Sequence, residues 1–109
     1  MQTEQVKVFQ PIGNFDATKS QEFRHLLSQL TQCSTKVVLV DLKDVTFMDS
    51  SGLGVLVLAF KNLRAANAKL VICSINEQVR ILFELTGMDK VFEIFANQQE
   101  FEKSMLSRA

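Results

Sequence analysis

Apolar positions along this chain change period several times, and each change marks an element. Val6-Lys7-Val8-Phe9 reads as a short strand, and Gln10-Pro11-Ile12-Gly13-Asn14-Phe15 follows as a second strand or a bent extension. Pro11 lacks a backbone donor, which puts this stretch at a sheet edge or a bend. Phe23, Leu26, Leu27 and Leu30 then recur at i, i+3, i+4 and i+7, the spacing of one helix face. Thr18 with Gln21 forms a capping-box pair for that helix, and Asp16 competes for the same role. Val37-Val38-Leu39-Val40, within Lys36 to Leu42, is a continuous apolar run suited to a strand covered on both faces. Asp44 to Met48 reads as a loop leading into Asp49-Ser50-Ser51-Gly52.

The next helix runs from about Ser51 to Ala66, with Leu53, Leu56, Val57, Phe60 and Leu63 as its core stripe. Lys69 to Cys73 is another buried strand. Ser74-Ile75-Asn76-Glu77 reads as a capping box for a helix carrying Val79, Leu82 and Phe83, which Gly87 ends. Val91-Phe92-Glu93-Ile94-Phe95 alternates as a half-buried strand does, and Asn97 with Glu100 opens a last helix that turns Phe101 and Met105 to one side. The expected order is β-β-α-β-α-β-α-β-α: an α/β domain with a small mixed sheet and about four helices against it. Periodicity does not say which face the helices cover.

At 109 residues the chain fits one domain, 1–109, able to fold without metal or disulfide staples. Twelve basic residues against twelve acidic ones leave no net charge, so the long-range attraction a nucleic-acid binder needs is missing. Every aromatic residue is Phe, which weakens base stacking further. Cys33 and Cys73 lack metal-ligand spacing and His25 is the only histidine, so no metal site is expected. Cys73 sits in an apolar run as a small core residue, and Cys33, near a helix end, receives no role. The N-terminus lacks a signal-peptide pattern, and the longest apolar stretch, Leu53 to Phe60, is too short to cross a bilayer. The expectation is a soluble, cytoplasmic protein without a membrane partner.

Three chemistries compete for the turn Met48-Asp49-Ser50-Ser51-Gly52-Leu53-Gly54. A serine hydrolase needs a base beside its serine, but the only histidine, His25, sits next to the apolar positions of the first helix, and the Gly-x-Ser-x-Gly elbow is absent. Gly52-Leu53-Gly54 completes neither a phosphate loop nor a dinucleotide fingerprint, since Val57 stands where the third glycine belongs. Asp41 imitates the acceptor of an aspartyl-phosphate receiver, but Gln10-Pro11-Ile12-Gly13 supplies no acidic pair for magnesium. The turn itself remains. Ser50 suits a helix N-cap, a purely structural role. A loop after a central strand, beside a helix that carries Val55, Leu58 and Ala59 outside its core stripe, points instead to a partner surface. A helix packed more deeply in the core is the plainer explanation of the same residues.

Val38-Leu39-Val40-Asp41-Leu42, followed by Val45-Thr46-Phe47-Met48-Asp49-Ser50-Ser51-Gly52-Leu53-Gly54-Val55-Leu56, closely resembles the STAS domain of bacterial anti-sigma-factor antagonists. Gly13-Asn14-Phe15-Asp16-Ala17 and Leu85-Thr86-Gly87-Met88 agree with it, so the likeness spans essentially the whole chain. The resemblance implies a STAS fold and a binding protein without enzymatic activity or cofactor. It implies an anti-sigma factor as partner, itself a serine kinase, which phosphorylates Ser50 (Ser51 being the alternative) and is then released. A metal-dependent serine phosphatase would restore the binding form. Asp49, Ser50, Ser51, Gly52, Leu53 and Gly54 would form the contact, with Asn14 and Asp16 flanking it. The competing reading is a STAS sensor or scaffold that binds a nucleotide or another small ligand.

Overall fold

The two continuous apolar runs lie side by side in the middle of a parallel sheet in the computed structural model, which describes residues 5–30 and 35–108. In chain order the elements are β1 (Gln5–Phe9), β2 (Gly13–Phe15), a 3-10 turn (Ala17–Lys19), α1 (Ser20–Leu30), β3 (Thr35–Asp41) and β4 (Val45–Met48). There follow α2 (Ser50–Ala65), β5 (Lys69–Cys73), α3 (Glu77–Thr86), a second 3-10 turn (Met88–Lys90), β6 (Glu93–Phe95) and α4 (Gln98–Arg108). The small sheet has four strands in the order β1-β3-β5-β6, a separate two-stranded sheet joins β2 to β4, and every described pairing runs parallel. Cys33 falls outside the described residues.

Strand order settles which face each helix covers. The order advances in one direction, so crossovers of a single hand carry their helices to the same side. Phe23 and Leu26 of α1, Leu56 and Leu63 of α2, and Val79 and Phe83 of α3 all pack with Val38, Val40, Leu70 and Ile72. The alternate residues of the central strands, Val37, Leu39, Val71 and Cys73, face the other way and meet Phe101 of α4, with Phe95 and Met105 at the margin. No crossover constrains α4, which follows the last strand. Both faces of β3 and β5 are therefore dry, as their unbroken apolar runs require.

Several expectations need correction. Asp44–Met48 is not all loop, because Val45–Met48 forms β4. A bulge conceals this strand. Gly13 pairs with Val45 but Asn14 pairs with Phe47, so Thr46 is the extra residue. Val45 and Met48, three apart, both turn inward, and the usual alternation is lost. On α2 the buried stripe is Gly52, Leu53, Leu56, Ala59 and Leu63, while Val57 and Phe60 are half-buried. Ala59, expected to point away, faces the core. The cap of α3 is Asn76, whose side chain accepts from the Val79 amide at 2.9 Å, and Ser74 has left-handed backbone instead. Gly87 closes α3 at φ 77°, as expected of a left-handed terminus. Asn97 likewise accepts from the Glu100 amide at 2.9 Å at the start of α4.

Candidate functional site

The serine turn does not follow the central strand directly. It follows β4, in the small sheet that leans on the N-terminal end of α2. Its position is fixed from two sides. On one, the Asp49 amide donates to the Phe15 carbonyl of β2 at 3.4 Å. On the other, Gln78 of α3 acts as a substitute strand: its Oε1 accepts from the Met48 amide at 2.9 Å and its Nε2 donates to the Met48 carbonyl at 2.8 Å. Asn76 adds donations to the carbonyls of Val45 at 3.1 Å and Thr46 at 3.3 Å, spanning the bulge. The outer edge of β4 is thereby satisfied by side chains. Gln78 and Asn76 were invisible as site-forming residues in the sequence, because polar residues in a first helical turn read only as caps.

Asp49, not Ser50, is the N-cap of α2. Its backbone is extended (φ −103°), and its Oδ1 accepts from the Gly52 amide at 2.9 Å and from the Ser51 hydroxyl at 2.6 Å. The Ser51 hydroxyl bond, followed by the Gly52 amide bond, holds the Asp49 carboxyl below its ordinary range. Ser51 Oγ in turn accepts from the Ala17 amide at 3.1 Å, tying the turn after β2 to the start of α2. Asp16 caps that 3-10 turn through the Thr18 amide at 3.0 Å. Asn14 is exposed on β2, paired in register with Phe47, itself 48% exposed.

Of the remaining residues, Gly52 and Leu53 are buried. Gly52 is an inward contact: a Cβ there would lie 2.0 Å from the Phe15 carbonyl oxygen. Ser50 is the first helical residue, exposed, and its hydroxyl has no hydrogen-bond partner among the described residues. It opens onto a concavity of about 410 Å³ that continues along Gly54, Leu58 and Lys61 toward Met88 after α3.

Residues from the discarded chemistries lie elsewhere. His25 is exposed on α1 with its Nε2 3.3 Å from Gln29, and no hydrogen bond joins it to either serine. Asp41 is buried, and its oxygens accept from the Lys43 amide at 3.1 Å and Gln98 Nε2 at 2.8 Å, fastening α4 to the end of β3. Burial pushes the Cys73 thiol up to about 11, the behaviour of a core residue. No cluster of metal-ligating side chains and no helix long and apolar enough to cross a membrane occurs among the described residues.

A parallel sheet with three helices on one face and one on the other, exposing a serine at a helix start beside a two-stranded ribbon, defines a small α/β domain of STAS type. The chain belongs to the STAS domain family, whose pattern matches residues 1–101. It is similar to the anti-sigma-B factor antagonist of Listeria monocytogenes, 37% identical over 93 residues that span 84% of this chain and 80% of that protein. Among solved structures it resembles the anti-sigma factor antagonist SpoIIAA in its unphosphorylated form, with TM-score 0.75, 20% identity, and coverage of 95% and 91% of the two chains. It also resembles the Bacillus cell fate determinant SpoIIAA in the phosphorylated form, with TM-score 0.70, 19% identity and coverage of 95% of each. At such identities the structural likeness speaks for the fold.

Proposed function

We propose that this protein is a cytoplasmic anti-sigma-factor antagonist switched by phosphorylation of Ser50. In this reading the unmodified form binds an anti-sigma factor that is also a serine kinase, and the phosphorylated form lets go. A metal-dependent serine phosphatase resets the cycle. The observation that carries the reading is the contrast between adjacent hydroxyls. Ser51 is engaged on both sides, by Asp49 and by the Ala17 amide, whereas the Ser50 hydroxyl is exposed and unengaged. A kinase reaches Ser50 without dismantling the cap. Relatives named as anti-sigma-B factor antagonists, and a neighbouring fold solved in phosphorylated and unphosphorylated forms, support the same reading.

Magnitudes favour a switch acting on the partner rather than on the fold. A phosphate adds about −1.5 to −2 charges. At a helix N-terminus the dipole favours an anion by roughly 0.3–1 kcal/mol, with about 2 as the upper end. An unmatched charge in a docked interface costs several kcal/mol, and each ~1.4 kcal/mol is tenfold in affinity. The interface effect dominates.

Incubation with ATP and serine kinases of the histidine-kinase fold from the same cell, followed by mass spectrometry, tests the assignment. Phosphate is expected on Ser50, retained in Ser51→Ala and lost in Ser50→Ala. Ser50→Asp should melt with the wild type yet lose the kinase partner. Phosphate on Ser51 would refute the position. No phosphate, together with an ATP-dependent thermal shift, would favour a ligand sensor.

A further inference from the structure

We infer that the bare ridge at Gly54, one turn into α2, seats an apolar segment of the partner protein whose margins are acidic. The inference rests on the proposed reading that this face of α2 binds a partner. Glycine inside a helix is destabilising relative to alanine, so a helix that keeps one has a reason. For Gly52 the reason is internal, since the Phe15 backbone leaves no room for a Cβ. For Gly54 no internal reason exists: an added Cβ meets nothing within 4 Å, and the residue is exposed and absent from the left-handed glycines.

Gly54 lies instead between two surface hollows, of about 410 and 240 Å³, and with Leu58 it lines both. Leu58, one turn further on, is 56% exposed, a large apolar side chain left to solvent beside a cleft. A side chain at position 54 would wall one hollow off from the other, whereas its absence lets an incoming chain lie across the helix.

Charge identifies the occupant. One hollow carries Lys61 and the other Arg24, neither ion-paired among the described residues, and no acidic side chain lines either hollow. The complementary surface is apolar at its centre, opposite Leu58, with carboxylates at its edges. A second copy of this chain apposed through the same face would bring these cations together, so a different protein fits better. The same complementarity sharpens the proposed switch. A phosphate on Ser50, at the end of the Lys61 hollow, meets a partner that is already negative there.

The test compares Gly54→Ala, Gly54→Leu and Lys61→Glu by titration calorimetry against the purified anti-sigma serine kinase of the same cell, with melting followed by circular dichroism. Gly54→Ala should melt roughly 2–8 °C higher than the wild type, because its methyl has open space in a helix. Despite that, its affinity should fall several-fold, and that of Gly54→Leu at least about tenfold. Lys61→Glu should weaken binding most at low salt. If the wild type binds and both Gly54 variants bind within about twofold of it, the inference is wrong and the proposed function stands. If the wild type does not bind, both fall together. If leucine lowers the melting point, the alanine variant alone decides.

Discussion

Replacing Gly52 by alanine asks how tightly α2 is seated on β2. The new Cβ would stand 2.0 Å from the Phe15 carbonyl oxygen, 2.7 Å from its carbon and 2.9 Å from the ring. A carbon–oxygen contact needs about 3.3 Å, so the helix start must retreat by roughly 1.3 Å. Phe15 cannot yield, being fully buried and held in register against Met48. Retreat strains two bonds that cross the same gap, Asp49 amide to Phe15 carbonyl and Ala17 amide to Ser51 Oγ. Overpacking of this kind costs about 1–3 kcal/mol, and each weakened bond about 0.5–1.5. Alanine returns about 0.5–1 through its better helix propensity. From the middle of each range the net loss is about 3 kcal/mol, a fall in Tm of roughly 12–24 °C for a domain of this size. Urea unfolding with Gly54→Ala alongside supplies the control, because that methyl meets open space. A Gly52→Ala midpoint at or above the wild type, or an equal loss in both variants, would refute the seating argument.

Gln78→Ala should destabilise by about 1–3 kcal/mol and speed hydrogen exchange at the Met48 amide, since that residue is fully buried and both its backbone groups lose their partner. Unchanged exchange at Met48 would show that β4 does not depend on this side chain. The lowered carboxyl of Asp49 predicts a pH arm of definite sign: its contribution is whole above the ordinary carboxylate pKa of 3.8 and is lost as pH falls through the lower folded value. Asp49→Asn keeps a competent cap, so melting curves taken across acid pH should lose that arm while remaining cooperative; an arm that persists would belong to another carboxylate.

How much of this was legible in the sequence depended on whether a signal was local. The apolar runs of β3 and β5 announced strands covered on both faces, and Gly87 announced the end of α3, because each pattern carries its own stereochemistry. The β4 strand was not legible, since the bulge at Thr46 replaces alternation with two inward residues three apart. The cap of α2 was ambiguous for a different reason. Aspartate and serine are about equally good N-caps, and only the pairing of the Asp49 amide with Phe15, distant in sequence, fixes which one precedes the helix. The covered face and the Gln78 clamp belong to strand order and to contacts thirty residues apart.

The same long-range bonds engage one hydroxyl in the turn and leave its neighbour outside the network, which is what the proposed switch requires. Asp49 and Ser51 are committed to joining three segments: the 3-10 turn after β2, the end of β4 and the first turn of α2. Modifying Ser51 would displace the Ala17 amide and the capping carboxylate together, and stability would change along with recognition. Ser50 lies outside that bond network and faces the hollow shared with Lys61. A charge placed there leaves every described bond of the turn in place, and the fold feels chiefly the modest dipole term. A partner seated across Gly54 and Leu58 would feel the whole charge at close range, in an interface that excludes water. On the proposed reading, separating the residues that hold the turn from the one that would carry the phosphate would let phosphorylation change affinity strongly while the domain remains folded.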